Sequence, residues 1–96
     1  MVQDYPLIHN EAAHRFEMEI EGQTAFVEYS LANPTLLIIA HTEVPKELEG
    51  RGIASMLIEK VLHYIEEKGW KIIPLCPFTT AYIRKHPEWE RVVHHR

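Results

Sequence analysis

The strongest constraint on this chain is a change of hydrophobic period along its length. From His14, Phe16, Met18 and Ile20 alternate with Arg15, Glu17, Glu19 and Glu21, as in a strand with one buried face. Glu21-Gly22-Gln23 reads as a hairpin turn, with Gly22 free to take a positive φ. A second strand over about Thr24 to Leu31 sets Ala25, Val27, Tyr29 and Leu31 on one face, and Ala32-Asn33-Pro34 forms the next turn. Leu36-Leu37-Ile38-Ile39-Ala40 then loses the alternation. A strand covered on both faces has this pattern, which predicts a central place in the sheet. That strand continues through His41-Thr42-Glu43 and ends at Pro45.

Beyond a loop over Pro45 to Glu49 the period becomes helical. Ile53, Leu57, Ile58, Val61, Leu62 and Ile65 form one stripe, Glu59, Lys60, His63, Glu66 and Glu67 face water, and Gly69 is placed as the C-terminal cap. Trp70 to Leu75 reads as a short strand, which a right-handed crossover lays parallel to the Leu36 strand. Pro77 suits the first turn of a second helix, which runs to about Lys85 and stops before Pro87. Trp89 and Val92-Val93 are expected to dock the tail on the core. Residues Met1 to Ala13 carry too little periodicity for a long element. The expected fold is thus α/β (α+β): an antiparallel meander, one parallel crossover and two main helices, in a single domain over residues 1–96.

Hydrophobic residues make up 46% of the 96, enough to build a core in so short a chain. A formal net charge of −4 argues against a nucleic-acid binder. The single cysteine, Cys76, excludes an internal disulfide framework and fits a reducing, cytoplasmic setting. No signal peptide is read at the N-terminus, and the longest apolar run is far too short to span a membrane. The histidines show no His-Glu-x-x-His spacing, so no metal is expected, although His94-His95 could bind one incidentally.

The junction before the first helix carries the chemistry. Gly50 and Gly52 flank Arg51, and glycines let backbone approach a ligand. The first turn of a helix presents unpaired N–H groups and a positive dipole end, which together suit an anion such as pyrophosphate. Arg51 can add a charge-assisted contact. An ordinary loop with a tight turn accounts for the same residues equally well. The ending of a nucleotide-hydrolase phosphate loop and the third glycine of a dinucleotide fingerprint are both missing.

Glu49-Gly50-Arg51-Gly52-Ile53-Ala54 resembles the acyl-CoA loop of the GNAT N-acetyltransferase superfamily, Gln/Arg-x-x-Gly-x-Gly/Ala. His41 through Leu57 is similar in particular to a branch of very small GNAT-like proteins, and Tyr82-Ile83-Arg84-Lys85 adds to the likeness, which covers about Phe16 to Trp89. Glu49 departs from the motif's first position, and the chain lacks the N-terminal helices that usually build the acceptor site. The resemblance implies an acetyltransferase that takes acetyl-CoA as co-substrate. It places Glu43 and Val44 along the pantetheine arm, and Gly50, Arg51, Gly52, Ile53, Ala54 and Ser55 at the pyrophosphate. It also implies that Tyr82 protonates the departing thiolate.

Glu43, at the end of its strand, can serve as general base, or it is a solvated carboxylate; His41, on the same face, is a second base candidate, with a hydrogen-bonded histidine of the sheet the expected reading. Cys76 stands where the last strand meets a helix, a position that favours thiolate. It can line the acyl site, accept the acyl group itself, or be inert in the core. Thr79 and Thr80 are expected to cap the second helix. The expected function is transfer of an acetyl group to an unidentified amine. The alternatives are a non-catalytic CoA sensor and a protein-interaction module on the same fold. No nucleic acid or membrane partner is expected, and the chain is taken as a monomer or as a weak dimer through an open sheet edge.

Overall fold

The computed structural model describes residues 5–94. Strands β2 (Arg15–Ile20) and β3 (Gln23–Asn33) form the predicted hairpin, with Ile20 opposite Gln23. The two turn residues, Glu21 and Gly22, have φ of 53° and 80°. Two positive φ values match the right-handed twist of the flanking strands. Alternation then buries Phe16, Met18, Ile20, Ala25, Val27 and Tyr29 together. The first strand starts at Arg15, because His14 takes the left-handed conformation at φ 53°. Leu31 remains 46% exposed although the pattern groups it with Tyr29. The next turn is shorter than expected: β3 holds through Asn33, whose Oδ1 accepts from the Thr35 N–H at 2.9 Å.

Strand β1 (Ile8–Asn10) pairs antiparallel with β2. Nothing periodic marks it, since it is three residues long. Its anchor is His9, whose ring stacks on Phe16 at 4.4 Å and whose two nitrogens meet the hydroxyls of Tyr64 at 2.9 Å and Tyr29 at 2.6 Å. Burial among these rings holds the His9 pKa below its ordinary value.

Strand β4 (Leu36–Glu43) pairs antiparallel with β3 and parallel with β5 (Lys71–Pro74), giving the order β1-β2-β3-β4-β5. The meander and parallel crossover are therefore as the periodicity predicts. So is the interior place of β4, paired with β3 and β5, but its covering on both faces is not. β4 is fourth of five; Leu37 and Ile39 are buried, Leu36 and Ile38 only half-buried, and Ala40 exposed. The apolar run reflects one covered face and one partly covered face.

Helix α1 (Ile53–Lys68) buries the predicted stripe of six residues. It ends at Gly69, φ 73°, whose N–H is donated to Glu66 O, while Trp70 N–H is donated to Ile65 O. Helix α2 (Pro77–Lys85) starts at the expected proline and ends before Pro87. A 3₁₀ turn over Pro87–Val92 buries Trp89 and Val92, and Val93 bridges Ile72 on the free edge of β5. The tail docks as expected; His95 lies outside the described residues.

A slip in β4 orients the site. Glu28 lies opposite His41 and Tyr29 opposite Ile39, so Ala40 is an extra, unpaired residue, a β-bulge. One extra residue exchanges the faces of everything after it. Thr42, opposite Val27, joins the core face, and His41 and Glu43 turn to the other.

Candidate active site

β5 ends at Pro74, opposite Ile39, whereas β4 runs on to Glu43. The N–H groups of Leu75 and Cys76 both turn onto Ile39 O at 3.0 Å. The strands therefore part there, and β4 from Ala40 onward has no pairing with β5. Extended backbone with free hydrogen-bonding groups can receive another extended chain.

The glycine loop follows this stretch. Leu48, 1% exposed, pins the short 3₁₀ turn Lys46–Leu48 to the core. Gly50 and Gly52 have φ of 81° and 73°, and a methyl group placed on either would meet no atom within 4 Å among the described residues. Glycine is required here by backbone conformation, not by crowding. The first helical bond of α1 runs from Met56 N–H to Gly52 O at 3.1 Å. The N–H groups of Ile53, Ala54 and Ser55 thus precede the helical ladder, and no side chain caps them among the described residues. Val44, Leu48, Glu49, Gly50, Gly52, Ile53 and Ala54 line a cavity of about 140 Å³ before this helix start.

Arg51 is oriented otherwise than the anion reading expects. Its Nη2 donates to Glu21 Oε2 at 2.9 Å, in the β2–β3 turn. Glu21 raises the Arg51 pKa through this hydrogen bond, and Arg51 lowers that of Glu21. Of the two charged residues of the motif, Glu49 lines the loop cavity and Arg51 does not.

Ser55 opens onto a second cavity of about 260 Å³, between the start of α1 and helix α2, shared with Phe78, Ala81, Tyr82, Lys85 and His86. The Tyr82 hydroxyl donates to Glu59 Oε2 at 3.4 Å. Burial, reinforced by the Glu59 charge, raises the Tyr82 pKa, which keeps the phenol protonated. A third, open cavity of about 510 Å³ is lined by His41, Thr42, Glu43, Val44, Pro45, Lys46 and Glu49. There His41 Nε2 lies 3.3 Å from Glu43 Oε1, both side chains more than half exposed. His41 is thus hydrogen-bonded as expected, but to the carboxylate and in solvent.

Cys76 is the N-cap residue of α2 and is 4% exposed. Its Sγ lies 3.4 Å from Thr42 Oγ1. Burial pushes the thiol pKa up, but the hydrogen bond shared with Thr42 and those from the backbone N–H groups of Thr79 and Phe78 outweigh it, so the pKa is lowered. The Thr79 hydroxyl, on a residue 1% exposed, has no hydrogen-bond partner among the described residues. Neither threonine caps α2: no side chain among the described residues caps its start, and Thr80 Oγ1 donates to Pro74 O at 3.1 Å. Thr42 escaped the sequence reading, since only the bulge at Ala40 turns it toward Cys76. Lys85 and His86 escaped it too, although their helical spacing from Tyr82 places them near the same face.

The structure therefore brings Tyr82 and Ser55 together, and separately Glu43 and Val44. Cys76 sits between, behind Thr42, on the opposite face of β4 from Glu43. Among the described residues no group of three or more His, Cys, Asp or Glu side chains could hold a metal ion. No helix among them is long and apolar enough to cross a membrane.

Residues 15–92 match the family model of GCN5-related N-acetyl-transferases. Protein NATD1 of Mus musculus is 27% identical over 81 residues, covering 82% of this chain and 74% of that protein. The same protein of Danio rerio is 25% identical over 91 residues, covering 90% and 83%. The NMR structure of a GCN5-like protein from Staphylococcus aureus superposes with a TM-score of 0.70 at 25% identity, covering 95% of this chain and 89% of that one. With the matched model spanning most of the sequence and the fold shared, the chain belongs to the GCN5-related N-acetyltransferase family.

Proposed function

We propose that the chain transfers the acetyl group of acetyl-CoA to the nitrogen of an amine. The observation that carries this reading is the pair of left-handed glycines before the uncapped start of α1, at the end of the stretch where β4 leaves β5. Acetyl-CoA supplies the activated thioester. The N–H groups of Ile53, Ala54 and Ser55 meet the pyrophosphate, with the positive end of α1 behind them. The backbone at Glu43 and Val44, beyond the end of β5, receives the amides of the pantetheine arm.

In direct transfer a C–N bond forms as the C–S bond breaks. Glu43, through His41 or water, takes the proton that the amine loses, and Tyr82 gives one to the departing sulfur. Glu59 accepts the Tyr82 hydrogen bond and orients the phenol. In a covalent route the Cys76 thiolate takes the acetyl group first and the amine then removes it, restoring the thiolate. Isothermal titration with acetyl-CoA tests the shared first step; no heat at millimolar ligand overturns the reading. Intact mass spectrometry separates the routes: a Cys76 that gains no acetyl group during turnover overturns the covalent one.

A second reading, a CoA-binding sensor, is favoured by the placement of Glu43 and Tyr82 on different cavities and by the burial of Cys76 against Thr42. CoA binding without acetylation of any member of an amine panel selects it.

A further inference from the structure

The contact between Arg51 and Glu21 joins the glycine loop to a turn 30 positions away in sequence. Glu21 occupies the first of two turn positions with positive φ, a place that suits Gly, Asn or Asp and strains a glutamate. Strain of this kind persists where the surroundings compensate it, and here the side chain that bears it reaches the one arginine of the loop. The loop cavity takes its lining from both neighbours of Arg51, Gly50 and Gly52, and not from Arg51. Of the loop's two charged residues it is Glu49 that lines it. The cation is thus held on the hairpin while the helix start stays open. Tyr5 makes a lesser contact with the same guanidinium.

We infer that Glu21 is an internal competitor for the anion loop: it holds Arg51 against the β2–β3 turn, and the pyrophosphate of CoA draws Arg51 off Glu21 on binding. This rests on the reading of the loop as a pyrophosphate site. The exchange is feasible because the pair is exposed, with 42% of the Arg51 and 58% of the Glu21 side chain accessible. Exposed pairs are weak, and a guanidinium matches phosphate oxygens in bidentate geometry. Glu21 accordingly sets CoA affinity without touching CoA, and a ligand lacking the pyrophosphate is indifferent to it.

Calorimetric titration with CoA, and with pantetheine as the arm without its pyrophosphate, tests this on the full chain. Glu21→Gln is expected to tighten CoA binding about two- to five-fold, the range an exposed ion pair supports, and to leave pantetheine binding unchanged. Glu21→Asn removes the same charge and also relieves the turn, so it should match the gain in affinity while raising the melting temperature. A gain shared by both variants belongs to the charge. Arg51→Gln weakens CoA binding, and in its background Glu21→Gln has no effect. Equal or weaker CoA binding by Glu21→Gln overturns the proposal, as does a gain that survives without Arg51. Failure of both the wild type and Glu21→Gln to bind CoA at millimolar concentration overturns the pyrophosphate reading itself, and this inference with it.

Discussion

The two strand-to-helix junctions, β4 to α1 and β5 to α2, solve one electrostatic problem in opposite ways. Both α1 and α2 begin without a side-chain cap among the described residues. Each start therefore exposes the positive end of a helix to whatever lies before it. Before α1 lies an open loop of two left-handed glycines, with its arginine turned aside. Before α2 lies a buried sulfur, with Thr42, Thr79 and two backbone N–H groups around it. The first junction is shaped to take a negative group from outside; the second holds an ionisable group of its own. The difference follows from the residue at the cap: glycine leaves space, whereas cysteine fills it with an ionisable atom.

The largest expected effect breaks the open junction from beneath. Leu48→Ala, at a residue 1% exposed, should cost about 2–5 kcal/mol by leaving a cavity under the loop. Urea unfolding measures it, and a loss within error would mean that the loop is not anchored there. Next is Gly52→Val, which forces a β-branched residue to φ 73°. It should cost about 1–3 kcal/mol and abolish CoA binding, whereas Cys76→Ala should keep CoA binding. Loss of affinity in both variants would merge the two junctions into one site.

Smaller effects sharpen the second junction. The lowered thiol pKa means that the folded chain gives up this proton more readily than the unfolded one. Its stabilising contribution is present above the unfolded pKa and is lost as pH falls through the folded value. Alkylation rate against pH should therefore inflect below the ordinary thiol range, and Thr42→Val should move the inflection upward. An unmoved inflection would remove Thr42 from the thiolate's surroundings. The smallest effect lies far from both junctions, at His9. Its pKa is lowered by burial, so its contribution is present above the unfolded value of 6.5 and declines as pH falls through the folded one. Melting temperature should fall on acidification below that point, and His9→Asn should flatten the dependence.

Much of this was legible in residue order. The stripe from Ile53 to Ile65, the Glu21-Gly22 turn, the Gly69 cap and the Pro77 start are local signals, each contained within a few turns of helix or one hairpin. The helix start with its glycines was legible for the same reason. What misled was the run Leu36 to Ala40, because a one-sided and a two-sided strand can share one apolar sequence. What was invisible was β1, held by His9 packing among rings from three other elements.

The sequence by itself determined the order of strands and helices from β2 onward, the hairpin turn at Glu21-Gly22 and the glycine-lined start of α1, since period and backbone preference act between near neighbours. The tertiary structure alone decided which faces the functional side chains take. One unpaired residue, Ala40, sends Thr42 to Cys76 and Glu43 to the opposite side. A contact across 30 positions sends Arg51 to Glu21. Register slips and distant ion pairs leave no periodic trace, because each depends on a partner strand that the local sequence does not contain.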